Sequence, residues 1–272
     1  MKIALDAGHS ASTYDRGGGK GVVTPSGAVF KEHTFNAGVS RYAQELLEAN
    51  GFEVVQLQPL NDEDEIFLNE RVEKARTFGA DLLFSIHADA NGNRDARGHW
   101  CFYWHDHGQS KRLAQIWDKY ADSLLPHPDR NIVPSMPGTW TDFHMCRVPA
   151  RYGIPAILIE HAFMTNLDDL ELLQDEGFQR LCAEVIARTA CEYTGQEFKS
   201  KEGDNVTKKL SSSTANNIID SYLSPEWFKC DDERKKAEAE GRLDDAEAWK
   251  RLRDHQKALA DELRDAAGII RE

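Results

Sequence analysis

Two histidines and one glutamate stand at the ends of three short apolar runs in this chain: His9, His87 and Glu160. Runs of this length, rich in Ile, Leu and Ala, predict buried strands. In an open α/β sheet the strand ends and the loops after them form the ligand-binding edge. Imidazole and carboxylate groups can bind a metal ion or transfer protons. Although each residue alone could serve a structural hydrogen bond or ion pair, together they predict one chemical site.

Four short motifs surround these residues and a further glutamate, in this order: Asp6-Ala7-Gly8-His9, Phe30-Lys31-Glu32-His33-Thr34-Phe35-Asn36, Ser85-Ile86-His87-Ala88-Asp89-Ala90, and Ile159-Glu160-His161-Ala162-Phe163-Met164-Thr165-Asn166. The series resembles the zinc-dependent N-acetylmuramoyl-L-alanine amidases of bacteria and their phages, the amidase type 3 family. The resemblance covers roughly residues 1 to 194. One such motif is weak evidence, but four in the right order are a specific signal.

The resemblance implies a role for each matching residue. His9, Glu32 and His87 would bind Zn²⁺, and Glu160 would be the catalytic carboxylate. Three nitrogen or oxygen ligands leave a fourth zinc position for water, and a separate glutamate can take the proton of that water. The expected function is therefore peptidoglycan hydrolysis: cleavage of the amide between N-acetylmuramic acid and L-alanine by zinc-activated water, with Glu160 as general base.

The chain departs from the commoner family pattern at four positions. Ala7 and Ser10 replace a frequent proline and glycine, Asp89 replaces asparagine, and Ala162 replaces the glycine that usually follows the catalytic carboxylate. None of these changes removes a proposed ligand. They concern the loops and the contacts around the site rather than the class of reaction.

Other polar residues are weaker candidates. His105 and His107 are two apart and would share one side of a strand, but no residues that would complete a metal site are evident. His33 and His161 adjoin proposed site residues and could contact the site or its substrate. Arg71, on a predicted helix, could contact the site or a carboxylate, but a solvated or structural ion pair is the favoured interpretation.

Alternation of strand and helix patterns predicts the fold class: α/β, with a mostly parallel or mixed central sheet flanked by helices and a small C-terminal helical segment. Glycine-rich residues 12–27 predict a surface loop that could close over substrate. Residues 126–140 contain four prolines and no strand or helix period, which predicts an irregular wall of the cleft. Within this wall Trp140 could stack on a sugar ring or pack into an apolar cluster.

The predicted domains are a zinc amidase catalytic domain over residues 1–194, a polar linker over 195–214 and a helical tail over 215–272. In the tail, Ser224-Pro225 is a helix start and Gly241 divides two helical patterns. A hairpin with an apolar stripe is expected, either as a structural pair or as a module for wall binding or homo-oligomerisation.

Composition restricts the partners. A net charge of −13 disfavours a nucleic-acid binder and also attraction to an anionic wall by charge alone. Five unclustered cysteines do not indicate a disulfide framework or a cysteine zinc site. No signal peptide or membrane span is evident, which favours synthesis in the cytoplasm and a phage-type lysin (endolysin) that reaches the wall after release.

Two other functions fit parts of the pattern. A zinc peptidase such as a carboxypeptidase could use the same sheet and ligands on another amide bond, because fold does not fix function. A noncatalytic cell-wall-binding protein would hold peptidoglycan without cleaving it. The combination of a metal triad with Glu160 argues for an enzyme.

Overall fold

A computed structural model describes residues 1–61, 64–200, 219 and 223–267. Contacts within the chain divide it into two units, Met1–Lys201 and Glu202–Glu272. Most of the expected linker, residues 201–214, lies outside the described residues, so its extent stays a prediction. Among the helices of the described ranges, none has the length and apolarity needed to cross a bilayer.

Strands and helices alternate through the first unit. Its strands are β1 (Lys2–Ala7), β2 (Gly21–Val23), β3 (Val29–Lys31), β4 (Glu53–Gln56), β5 (Leu82–Asp89), β6 (His99–Trp104), β7 (Asp129–Ser135) and β8 (Ala156–Phe163). Its α-helices are α1 (Glu32–Ala49), α2 (Leu68–Phe78), α3 (Gly108–Leu124), α4 (His144–Arg151), α5 (Leu167–Gln174) and α6 (Glu176–Thr194).

Six of the strands form a mixed sheet in the order β4-β1-β5-β8-β6-β7. The first four are parallel, β6 is antiparallel to β8, and β7 is parallel to β6. The predicted fold class is thereby confirmed. Because β1, β5 and β8 are adjacent and parallel, their carboxyl ends lie along one edge, and His9, His87 and Glu160 meet there.

Successive residues of the central strands point to opposite faces and bury both. On one face Ile3 and Leu5 join the main core with α1, α3 and α6. On the other face Ala4 packs with apolar residues of α2 and α4. The helices therefore cover both faces of β1, and the polar side chains of the site can emerge only at the strand ends.

Some local predictions were wrong. Residues 129–135 form β7, although Pro134 stands in this segment. A proline is tolerated there because β7 is the last strand of the sheet, where a missing N–H need not break a ladder. In the glycine-rich segment, β2 and β3 make a small antiparallel pair. Helices α5 and α6 divide at Asp175, whose side chain caps α6 by accepting from the Phe178 N–H.

The described part of the second unit contains two helices, Ser224–Ala239 and Leu243–Ala267, here called the tail hairpin. They pack against each other and turn at Gly241, which has a positive φ of 71°. Asp231 of the first helix is paired with Arg253 of the second at 3.0 Å. The two helices predicted from the sequence are therefore present.

Candidate metal centre and active site

Three side chains from three different elements converge at the carboxyl edge of the sheet. His9 follows β1, Glu32 is the first residue of α1, and His87 lies near the end of β5. One potential ligand atom from each lies within 4.8 Å of the other two. Within the described ranges this is the one group of three or more His, Cys, Asp or Glu residues with such a spacing.

The approach of β1 to β5 depends on Gly8. A Cβ at this position would lie 2.3 Å from Cε1 of His87, which is too close for any side chain. His9 then adopts a left-handed backbone with φ of 65°, which is uncommon for a residue other than glycine. This bend turns the His9 ring towards His87, and their ring centres are 5.1 Å apart.

Glu32 is buried and held as an ion by its neighbours. Its Oε1 lies 3.0 Å from His87 Nδ1 and accepts from the Ala88 N–H and from Asn36 Nδ2, both at 3.2 Å. Its Oε2 lies 3.3 Å from His9 Nε2. Burial alone would raise the pKa of Glu32, but the hydrogen bonds with His87 and His9 hold it well below its ordinary value. The carboxylate is therefore ionised near neutral pH.

The histidines are suited to metal binding. Burial lowers the pKa of His87 against the opposing effect of Glu32, so its ring is neutral near pH 7. His9 Nδ1 lies 3.6 Å from Oε1 of Glu65, a carboxylate that can orient the ring. His9 Nε2 is buried beside Glu32 Oε2 and faces no other hydrogen-bond partner among the described residues. Two imidazoles and one carboxylate, with a buried ring nitrogen beside that carboxylate, fit the donor set of an open zinc site.

Glu160 lies one strand away from this group. It is the register partner of His87 on β5 and of Trp100 on β6, so the three side chains share one face of the sheet. Its Oε2 is buried and has no hydrogen-bond partner among the residues that the structure describes. Burial, and then the charges of Asp89 and Glu32, raise the pKa of Glu160 well above its ordinary value. A carboxyl group in this state can exchange a proton near neutral pH.

A fully buried arginine supports the backbone of His9. Arg71 donates to Asp6 Oδ1 at 2.8 Å, to Gln58 Oε1 at 2.9 Å and to the carbonyl of His9 at 3.2 Å. The second oxygen of Asp6 accepts from Ser85 at 2.7 Å. The structural ion pair expected for Arg71 is confirmed. Through its hydrogen bond to the His9 carbonyl, Arg71 also contacts the candidate metal centre of His9, Glu32 and His87.

The other histidines considered as site candidates lie outside the candidate metal centre of His9, Glu32 and His87. His33 is buried and fixed by the carbonyls of Gly8 and Leu60, at 2.8 and 3.2 Å. His161 is buried with its ring edge towards Phe35. His105 is exposed, and His107 caps α3 by accepting from Ser110.

Several residues of this region were not identified from the sequence. Glu65 and Gln58 lie in an irregular segment whose pattern does not indicate contact with His9 or Arg71. Trp100 faces Glu160 only because β6 is antiparallel to β8, and a sequence pattern does not contain this pairing. A useful signal was the polar residue Asp6 inside an apolar strand, since a buried carboxylate requires a partner.

Fold and site together define an α/β protein with a candidate metal centre at the carboxyl edge of its sheet. A family model described as N-acetylmuramoyl-L-alanine amidase matches residues 3–191. The chain therefore belongs to the type 3 N-acetylmuramoyl-L-alanine amidase family. The match includes all four proposed site residues and ends before the tail hairpin.

Individual relatives agree with this assignment. The chain is 28% identical over 220 residues to N-acetylmuramoyl-L-alanine amidase AmiC of Neisseria meningitidis, across 68% of this chain and 50% of AmiC. It is 29% identical over 196 residues to the uncharacterized protein YqiI of Bacillus subtilis, across 71% of this chain and 85% of YqiI. The chain thus spans half the length of AmiC and most of YqiI.

A solved structure shows the same architecture. The catalytic domain of CwlV, an N-acetylmuramoyl-L-alanine amidase from Bacillus (Paenibacillus) polymyxa var. colistinus, superposes with a TM-score of 0.61 and 28% identity. The match covers 72% of this chain and 99% of the CwlV domain. The shared part is therefore about one whole catalytic domain.

Proposed function

We propose that this chain hydrolyses the amide bond between N-acetylmuramic acid and L-alanine in peptidoglycan. His9, Glu32 and His87 would hold a zinc ion, and Glu160 would act as general base. The observation that carries the proposal is the convergence of three ligand atoms within 4.8 Å beside Glu160, in a chain of this family.

The protonation states of the residues support these roles. A metal ligand must be deprotonated, and the lowered pKa values of Glu32 and His87 favour the ionised carboxylate and the neutral ring. Zinc bound in such a site lowers the pKa of a water ligand to about 7 and polarises a carbonyl group. Arg71 and Glu65 would keep the His9 ring in place for this purpose.

Glu160 would move the proton. In its ionised form it accepts a proton from the attacking water, and it then donates that proton to the nitrogen of the departing alanine. Both transfers are easiest when the pKa of the carboxyl lies near the working pH. The raised pKa of Glu160 supports this double role, because an ordinary glutamic acid would be a weak base and rarely protonated.

The experiment that tests the proposal separates metal binding from proton transfer. Glu160→Gln is expected to retain zinc and to lose about 10²- to 10⁴-fold in cleavage rate. His9→Ala is expected to lose zinc and activity together. Zinc content is measured on the purified proteins, and cleavage is followed on muropeptides of known structure by mass spectrometry.

The released ends distinguish the alternatives. An amidase frees the amino group of L-alanine, a carboxypeptidase frees a terminal residue, and a noncatalytic wall-binding protein cosediments with walls without cleavage. Equal loss of zinc in both variants would contradict the role given to Glu160. Cleavage that persists with a chelator would contradict the metal site.

The proposal extends to the biological setting and to the tail. We propose that the chain is a lysin of phage type, made in the cytoplasm and acting on the wall after release. We also propose the division into a catalytic domain, residues 1–194, a linker, 195–214, and a tail, 215–272, that binds the wall or joins copies of the chain.

A further inference from the structure

We propose that Trp140, held against Trp100, is a stacking surface for a pyranose ring of the glycan strand, beside Glu160. This inference rests on the proposed function and adds a position for the sugar side of the substrate. It concerns an aromatic cluster of buried Phe102, half-buried Trp100 and exposed Trp140, which has no role in the proposed metal binding or proton transfer.

Trp100 connects this cluster to the site. It is the register partner of Glu160, so their side chains stand side by side on one face of the sheet. Its Nε1 donates to Asp89 Oδ2 at 3.1 Å. The Arg130 guanidinium lies 4.9 Å from the centre of the Trp100 ring. Trp100 is thus fixed by one hydrogen bond and one cation–π contact, and it lies on the side of Glu160 away from β5.

Trp140 extends the cluster into solvent. Its ring centre lies 5.8 Å from that of Trp100 and 5.9 Å from that of Phe102, yet the residue is 70% exposed. An exposed tryptophan leaves a large apolar area in water, and a ligand that covers this area gains free energy from its burial. The position is adjacent to a proposed active site, so the ligand is expected to be part of the substrate.

The loop that carries Trp140 is held by its own hydrogen bonds. Ser135 Oγ donates to the Thr141 carbonyl at 2.5 Å, and the Gly138 N–H donates to Asp142 Oδ2 at 3.0 Å. Thr139 Oγ1 also donates to the Met136 carbonyl at 2.9 Å. Because these bonds flank Trp140 on both sides, its ring is positioned before substrate binds, which reduces the entropy lost on binding.

The chemistry of the two halves of the substrate favours the sugar. A pyranose ring has a face of C–H groups that can lie on an indole ring, whereas a stem peptide carries carboxylates that require cationic partners. Arg130, the cation stacked on Trp100, also lies 5.1 Å from the centre of the Phe163 ring, and its Nε is buried. The free surface that Trp140 offers is therefore apolar, and the glycan strand is the occupant that fits.

The kinetic test compares substrates with and without the sugar. Trp140→Ala in the full chain is expected to raise KM for a disaccharide-peptide about three- to tenfold, with kcat unchanged. For an acyl-L-alanyl peptide without a sugar ring, KM should not change. Trp140→Phe should behave nearly as wild type, because it keeps an aromatic face. The control is Tyr152→Ala, another exposed aromatic residue, before the start of β8 and far from Glu160 along that strand.

A binding test decides the inference even if the chain proves not to be an amidase. Glycan oligosaccharides freed of stem peptide are titrated into the wild-type protein, and tryptophan fluorescence is followed. Saturable binding that Trp140→Ala weakens and Tyr152→Ala retains would support the stacking surface. Absent binding, or equal binding by both variants, would overturn it. Equal KM changes for sugar-containing and sugar-free substrates would also overturn it, in favour of a peptide contact.

Discussion

At the scale of single residues, Asp89 is the departure from the family pattern with the clearest chemical consequence. It places a second carboxyl group near Glu160, and its own pKa is raised by burial. Two nearby negative charges disfavour each other, so the charge of Asp89 makes Glu160 harder to ionise. With asparagine there, that repulsion would be absent.

Asp89→Asn is expected to shift the pH dependence of cleavage. The proposed general base works only when deprotonated, so activity is expected to fall as the pH drops through the pKa of Glu160. Removing the Asp89 charge lowers that pKa, and the acidic limb of the kcat/KM profile should move to lower pH, by about one unit at most. The profile is measured on a soluble muropeptide.

The matched control is Asp106→Asn, an exposed carboxylate beyond the far end of β6. The acidic limb of the kcat/KM profile of Asp106→Asn should coincide with that of the wild-type protein. A shift of the Asp89→Asn profile to higher pH would contradict the repulsion between the two carboxyl groups.

The site could be predicted from the sequence only in part. His9, His87 and Glu160 end apolar runs, so their position on one edge follows from strand geometry. Glu32 stands at a helix start, and only the family resemblance pointed to it. Glu65 approaches His9 through an irregular segment, and such contacts depend on tertiary packing that no local pattern contains.

At the scale of secondary structure elements, Arg71 joins α2 to the end of β1. Its guanidinium contacts the Asp6 carboxylate inside the sheet and the carbonyl of His9 beyond it. A planar group with several fixed donors can serve both at once, whereas a lysine has one compact charge. The position of α2 therefore affects His9, a proposed metal ligand.

Arg71→Lys is expected to weaken zinc binding by about 10- to 100-fold, because residues that orient metal ligands have effects of this size. It should also lower the thermal midpoint, since Asp6 would lose part of its buried pairing. Zinc affinity is measured by competition with a chelator, and unfolding by circular dichroism.

Arg76→Lys on the same helix is the control, because the Arg76–Glu73 pair is exposed and surface pairs contribute little. If Arg71→Lys lowered the thermal midpoint but left zinc affinity unchanged, the arginine would be purely structural.

Most elements of the fold were predictable from local patterns, and the exceptions have a common cause. The period of apolar residues indicates α1, α3 and β8 because each buries a continuous face. Strand β7 is at the sheet edge and only partly buried, so it needs no apolar alternation and accepts Pro134. The direction of β6 is likewise set by strand pairing and not by its own residues.

At the scale of the whole molecule, the tail hairpin has an apolar surface of its own. A cavity of about 240 Å³ is lined by the apolar residues Leu223, Trp227, Phe228 and Ala260 and by the polar residues Ser224, Gln256, Lys257 and Arg264. Phe228 is 62% exposed. Phe228→Ser in the full chain is expected to reduce cosedimentation with walls without slowing hydrolysis of a small muropeptide. The control is Leu252→Ser, an exposed apolar residue outside this cavity. A change in molecular mass by light scattering would instead assign the surface to self-association.

The net charge of −13 determines how the protein meets its proposed substrate. Walls rich in carboxylates are anionic, so the protein and the wall repel each other at long range. Salt screens this repulsion, because the Debye length falls from about 30 Å at 0.01 M to about 8 Å at 0.15 M. Binding must then come from contacts at close range, such as the metal site and the aromatic surface.

Raising the salt concentration from 0.01 to 0.15 M is therefore expected to accelerate wall lysis, on the order of twofold to tenfold, through faster association. Cleavage of a small neutral substrate should change little, because it experiences no comparable repulsion. Turbidity loss on purified walls is compared with release of L-alanine amino groups from the small substrate in the same buffers. A protein drawn to the wall by a basic patch would show the reverse, a loss of lysis with added salt, and that result would contradict binding governed by short-range contacts.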